Sequence, residues 1–257
     1  MSALATLLWV ALPYASLTLL VGGLVWRWRT DQFGWTSRSS ELYEKAILRI
    51  ASPLFHVGFL MVIGGHLLGL MIPATWTEAV GISERTYHLI ATGAGSLAAV
   101  LTILGLVGLL YRRFGTKSVQ LATTRRDKVM YVFLTIPVGL GTWATVSNQI
   151  LGSPDGYDYR ETISPWLRSI LVFTPQPELM IGVPLSFQLH VVAGFLLFAI
   201  WPFTRLVHAI SAPVGYPTRP YVVYRARKPA VSTLAGRRGW DPVHTTHDAP
   251  GADARGA

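Results

Sequence analysis

Residues 50–76 read IASPLFHVGFLMVIGGHLLGLMIPATW and contain no Asp, Glu, Lys or Arg. A helix needs about 20 apolar residues to cross about 30 Å of hydrocarbon, so this run is long enough to span a membrane. His56 and His66 stand inside it. An ionisable side chain within a membrane segment is costly, and its presence there points to function. A second apolar stretch, residues 184–209, carries His190 and His208 in the same way.

Outward from that run, the whole composition reads as membrane protein. Of 257 residues, 51% are hydrophobic and only 14% charged, against about 25% charged in ordinary soluble proteins. Mean hydropathy is +0.41. Five stretches have spanning length: Leu4–Trp26, Ile50–Met71, Tyr87–Tyr111, Val129–Ile150 and Pro184–Ala209. The first lacks a basic leader and runs directly into Arg27 and Arg29, so it reads as a retained span rather than a signal peptide. The expected fold is an all-α integral membrane protein, with five transmembrane helices in a bundle.

Charge placement orients the bundle. The connection after the first span carries Arg27, Arg29, Arg38, Lys45 and Arg49, and that after the third carries Arg112, Arg113, Lys117, Arg125, Arg126 and Lys128. The second connection has Arg85 beside Glu78 and Glu84, and the fourth is acidic, with Asp155, Asp158, Glu161 and Glu178 against Arg160 and Arg168. Positive charge therefore alternates, placing the N-terminus outside and the C-terminus in the cytoplasm. The net charge of +9 is accounted for by groups near anionic lipid or a partner protein, without nucleic acid. Residues 1–228 form the expected membrane domain. Residues 229–257, rich in Pro, Ala, Gly and Thr, read as a flexible cytoplasmic tail. No internal repeat and no nucleotide-binding glycine loop is present.

The four intramembrane histidines can be paired by arithmetic. His56 and His66 are ten residues apart, about 15 Å in height on a helix. His190 and His208 are eighteen apart, about 27 Å in height and on nearly the same face. On antiparallel spans, His56 levels with His208 on the cytoplasmic side and His66 with His190 on the outer side, with about 6 Å of mismatch at each. The crossed pairing leaves partners about 20 Å apart in height. Two facing imidazoles can clamp a haem iron from both sides. The chain has no cysteine, so it can neither attach haem through thioethers nor bind an iron–sulfur cluster of its own. Two non-covalent b-type haems are expected, and a proton- or metal-transport role is the competing use of such histidines. Gly22, Gly23, Gly64, Gly65, Gly93, Gly95, Gly139 and Gly141 lie within spans, where small residues admit a neighbouring helix or a flat cofactor.

The run Ala51-Ser52-Pro53-Leu54-Phe55-His56, followed by Gly64-Gly65-His66, resembles the γ subunit of respiratory nitrate reductase, a membrane cytochrome b. So do Pro202-Phe203-Thr204-Arg205-Leu206-Val207-His208, Ser211-Ala212-Pro213-Val214 and Tyr224-Arg225-Ala226-Arg227. The resemblance covers the chain to about Lys228. It implies a multi-pass protein of the bacterial inner membrane, with His56 and His208 as ligands of an inner haem and His66 and His190 of an outer one. It also implies quinol as the electron donor, and cytoplasmic partners carrying iron–sulfur clusters and a molybdenum cofactor that hold the nitrate site. A cytochrome b of a sulfite- or heterodisulfide-linked complex, or a membrane anchor without redox function, remains open on sequence.

The family's quinol pocket has a lysine near the start of the third span, where this chain reads Arg85-Thr86-Tyr87-His88. The quinol site is therefore expected at Gly65, His66, Arg85 and His88, with His66 offering its second ring nitrogen. His88 would serve as hydrogen-bond partner and proton acceptor. Arg205, three residues before His208, is expected either to pair with an inner haem propionate or to snorkel to the interface. Arg112 and Arg113 are further candidates for a propionate.

Overall fold

The computed structural model describes residues 2–31, 40–152 and 156–210. Residues Met1–Ala212 make up one compact unit and Pro213–Ala257 another, and the described residues all belong to the first. The expected tail, the boundary at 228 and the motif residues from Ser211 onward lie outside the described residues. Within them the protein is entirely helical, with no strand. Five helices are long and apolar enough to cross a membrane: α1 (Ala3–Thr30), α2 (Ala46–Met71), α3 (Glu84–Gly115), α4 (Arg125–Ile150) and a fifth stretch, Leu185–Phe203. A shorter helix, α5 (Ile163–Leu171), precedes the last, whose regular part is α6 (Leu185–Ile200).

Local chemistry sets the boundaries. The Ser83 hydroxyl accepts from the Thr86 N–H and opens α3. Thr124 and Asp127 form a reciprocal capping box at the start of α4. The last turns of α1 and α3 hold Arg27 with Arg29, and Arg112 with Arg113, on the side the helix dipole favours for cations. Pro13 removes the N–H that would pair with the Trp9 carbonyl, and the chain from Leu7 to Ala11 is a π turn. The orphaned Trp9 carbonyl instead accepts from the Trp166 indole N–H at 3.0 Å.

The last span departs from expectation. Instead of one helix through Ala209, α6 ends at Ile200, a 3-10 turn covers Trp201–Phe203, Thr204 is extended, and a second 3-10 turn covers Arg205–Ala209. Pro202 is the cause, since it lacks an N–H and its ring excludes the carbonyl four residues earlier. The Thr204 hydroxyl accepts from the Leu206 N–H and starts the new turn. His190 and His208 therefore stand on different pieces of backbone.

Helices α2 and α3 run antiparallel along each other, because Gly58 faces Thr102, Phe55 faces Gly105 and Ala51 faces Gly108. Helix α6 lies against both α1 and α4. The two histidine-bearing elements thus belong to different helix pairs. One apolar core gathers Trp9, Ile163, Trp166, Ile170, Met180, Val183 and Phe195, and the other Phe55, Leu106, Met130, Tyr131, Leu134, Leu197 and Leu206. Outward faces stay apolar, as at Leu60, Leu89, Leu104 and Val132, all exposed. That inverted surface suits lipid and not water.

Helix α5 covers one end of the bundle and satisfies backbone groups that α2 leaves open. Ser164 Oγ donates to the Gly69 carbonyl at 2.9 Å and Arg168 Nη1 to the Leu70 carbonyl at 2.9 Å.

Candidate functional site

The two histidines of α2 each meet a partner. The rings of His56 and His208 have centroids 6.1 Å apart, and those of His66 and His190 5.8 Å apart. The planes are inclined at 69° and 44° respectively. Two imidazoles on opposite sides of one metal, with metal–nitrogen bonds of about 2 Å and about 1.1 Å from nitrogen to ring centre, place their centroids about 6 Å apart. Both pairs stand at that spacing. Ten residues separate His56 from His66, so the pairs lie at two depths about 15 Å apart.

Every one of the four rings points Nδ1 at a backbone carbonyl. His56 bonds to Ser52 O at 2.7 Å and His66 to Val62 O at 2.8 Å, each four residues back on α2. His190 bonds to Pro137 O on α4 at 2.9 Å, and His208 to Arg205 O at 2.5 Å. A carbonyl can only accept, so each Nδ1 carries a proton, and in the neutral ring the lone pair then lies on Nε2. This is the tautomer a metal ligand needs, and such ligands ordinarily fix their orientation through the other ring nitrogen.

Glycines fall into two groups around this arrangement. A Cβ at Gly141 would stand 2.8 Å from the His190 ring, so Gly141 lets the imidazole lie directly on α4. A Cβ at Gly23 would meet Pro202 at 2.8 Å. At Gly22, Gly64, Gly65, Gly93, Gly95 and Gly139 nothing stands within 4 Å of that position, which leaves open space beside the spans. The glycines that bring α2 and α3 together, Gly58, Gly105 and Gly108, are ones the sequence reading did not single out.

The arginines expected near a propionate are largely engaged by protein. Arg112, 2% exposed, pairs with Glu44 at 2.7 Å and also donates to Ser40 Oγ and the Ser40 and Glu44 carbonyls. Desolvation alone would raise the Glu44 carboxyl, but the Ile47 and Leu48 N–H groups and Arg112 hold it below its ordinary value. Arg113 donates to Thr123 Oγ1 at 3.4 Å, lies over the Tyr131 ring, and leaves its buried Nε unpartnered. Arg205 pairs with the buried carboxylate of Asp127.

Near the expected quinol site, Arg85 is exposed at the start of α3 and His88 is half-buried. The His88 ring packs on Gly156, whose φ of +68° is the left-handed conformation glycine favours. Gln149 Oε1, buried without a hydrogen-bond partner, converges on the same glycine. The second ring nitrogen of His66 is already bonded to Val62 O, so contact between it and a substrate requires an exchange of partner.

Two features here escaped sequence reading. Arg160, 4% exposed, bonds to Glu84 at 2.9 Å and Thr77 Oγ1 at 3.0 Å and stacks on the Tyr87 ring at 3.8 Å. Beside it, burial and the Tyr87 hydroxyl push the Tyr159 phenol well above its usual value. Asp127, 2% exposed, is the other; its Thr-x-x-Asp spacing was a legible capping signal, but its pairing with Arg205 was not.

The chain matches the family described as nitrate reductase gamma subunit over residues 5–227. It is 45% identical over 221 residues to the nitrate reductase gamma chain of Bacillus subtilis, covering 86% of this chain and 98% of that one. It is 35% identical over 218 residues to the respiratory nitrate reductase 2 gamma chain of Escherichia coli, covering 84% and 94%. The nitrate reductase-like protein NarX of Mycobacterium tuberculosis is 50% identical over 235 residues. That match takes in 91% of this chain but only 36% of the relative, so the chain spans about a third of that protein's length.

Proposed function

The chain belongs to the nitrate reductase gamma subunit family, and from that premise we propose that it is a di-haem cytochrome b subunit. In this reading it takes electrons from membrane quinol near the outer face and delivers them to cytoplasmic partners bearing iron–sulfur clusters and a molybdenum cofactor. The family and the five spanning helices make it a multi-pass protein of the bacterial inner membrane. No nitrate site is assigned to this chain.

The observation that carries the proposal is the paired geometry of His56 with His208 and His66 with His190, each ring with Nδ1 tied to a carbonyl. Among the described residues no three His, Cys, Asp or Glu side chains cluster to hold a bare metal ion. His56 with His208 and His66 with His190 would suffice to hold a haem each, since that group brings its remaining ligands itself. When bound, haem supplies one-electron transfer, and the protein supplies position, tilt and electrostatics.

The protein's own residues can then be assigned roles at the His66 end. Gly65 leaves room beside α2 for a flat ring. Arg85, His88 and the orphaned Gln149 Oε1 provide polar partners for quinol hydroxyls at the start of α3 and the end of α4. His88 accepts a proton released there, and a substrate oxygen competes with the Val62 carbonyl for His66 Nδ1–H. The orientation follows the positive-inside rule, with this end outward.

Substitution of the histidines in the purified complex tests the proposal. His66→Ala and His190→Ala should each remove one and the same haem spectrum, and His56→Ala and His208→Ala the other. Loss that follows the helix, with His56 and His66 sharing a haem, would sink it.

A further inference from the structure

His208 stands beyond the end of α6, on the 3-10 turn Arg205–Ala209, so no continuous helical ladder holds it in register with His190. Side chains from α1 and α4 take over that task. Arg27 Nη1, from the last turn of α1, donates to the carbonyls of Pro202 at 2.7 Å and Thr204 at 3.1 Å. From the first turn of α4, Asp127 receives Arg205 on both oxygens, through Nε and through Nη2 at 3.1 Å. The carboxylate is itself fixed, because Oδ2 also accepts from the Thr124 N–H at 2.9 Å. Arg205 then presents its own carbonyl to His208 Nδ1. One residue is nailed to α4 by its side chain and aims the imidazole with its backbone.

We propose that Asp127 and Arg205 form a clamp that positions His208 toward His56, and that Arg205 acts through Asp127 rather than on a propionate. The inference rests on reading His56 and His208 as axial ligands. Its physical basis is that Asp127 is buried, so its charge demands a partner, and Arg205 is the cation that reaches it. Partners of this kind, one step removed from a metal, typically change affinity by about 10- to 100-fold when removed.

The test uses the assembled complex with Asp127→Asn, Arg205→Gln, the double variant and the conservative Arg205→Lys. Haem content, redox midpoint and the low-spin ferric EPR signal are read for each haem. Asp127→Asn and Arg205→Gln should both perturb the haem that His56→Ala removes, weakening its retention by about 10- to 100-fold. The double variant should be no worse than either single one, Arg205→Lys should partly restore the signal, and the His66–His190 haem should be unchanged. An effect of Arg205→Gln with none from Asp127→Asn would place Arg205 directly on the cofactor and overturn the clamp. Loss of both haems in Asp127→Asn would show that the pair holds the bundle rather than His208, and would overturn it too. If the wild type carries no haem, the axial-ligand reading falls instead. The clamp is then read from acylation of His208 by diethyl pyrocarbonate, which Asp127→Asn should accelerate several-fold and which, if unchanged, refutes it.

Discussion

Each of the four imidazoles commits one nitrogen to backbone, and the commitments differ in how far they reach. His56 and His66 bond to carbonyls four residues back on their own helix, so their orientation is local and follows once α2 is helical. His190 bonds across to Pro137 on α4 and rests on Gly141, a contact no spacing rule within one span can reveal. The same divide separates the arginines. A basic residue near a membrane face was legible at Arg112, but its Glu44 and Ser40 partners come from another connection. Gln149 and His88 converge on Gly156, a loop residue of positive φ outside the periodicity of the spans. If His88 and Arg85 serve quinol, His88→Ala should slow quinol-driven haem reduction by about 10²- to 10⁴-fold, the range usual for a lost positioned acid–base group, and Arg85→Ala should slow it as well. Reduction by a non-quinol reagent should be unaffected. Unslowed quinol reduction in both variants, with both haems retained, would move the pocket elsewhere.

At the scale of elements, hydropathy found all five spans because lipid solvates each of them independently. Boundaries were less legible, since capping and interfacial turns extend α1 to Thr30 and start α3 at Glu84. The break after Ile200 was written in Pro202, but a long apolar run hides it: side chains around 201–209 stay apolar whether the backbone is α or 3-10. Helix α5 was not anticipated, because a nine-residue amphipathic piece is too short to stand out beside spans of 19 to 32 residues. Helix pairing depends on close approach rather than on oil-like burial. A Cβ at Gly105 would overlap the backbone of Phe55, one residue before His56. Gly105→Ala should therefore push α2 from α3 and lower stability by about 1–3 kcal/mol, the usual cost of overpacking. A thermal midpoint equal to wild type in detergent would show that the helices do not meet there.

For the whole molecule, side-chain bridges sort the connections by end before any rule about membranes is invoked. Arg160 joins the fourth connection to Glu84 at the start of α3, and the Tyr159 and Tyr87 hydroxyls lie 3.4 Å apart, so the second and fourth connections share an end. Arg112 joins the end of α3 to Glu44 and Ser40, so the first and third connections share the other. Only the sign of the charges decides which end faces the cytoplasm, and the basic excess lies with the first and third. The choice has an energetic consequence. In the proposed reading, an electron passing from the His66–His190 end to the His56–His208 end moves inward against the membrane potential, which stores up to about 2.3 kcal/mol per 100 mV for a charge that crosses the whole membrane. The reverse orientation would dissipate that amount. The chain has no cysteine, so single cysteines can report sidedness without background. Lys117 and Thr174 are exposed in the third and fourth connections respectively. In spheroplasts, a membrane-impermeant maleimide should label Thr174→Cys at once and Lys117→Cys only after the membrane is opened. The opposite pattern would invert the bundle and place quinol oxidation on the cytoplasmic side.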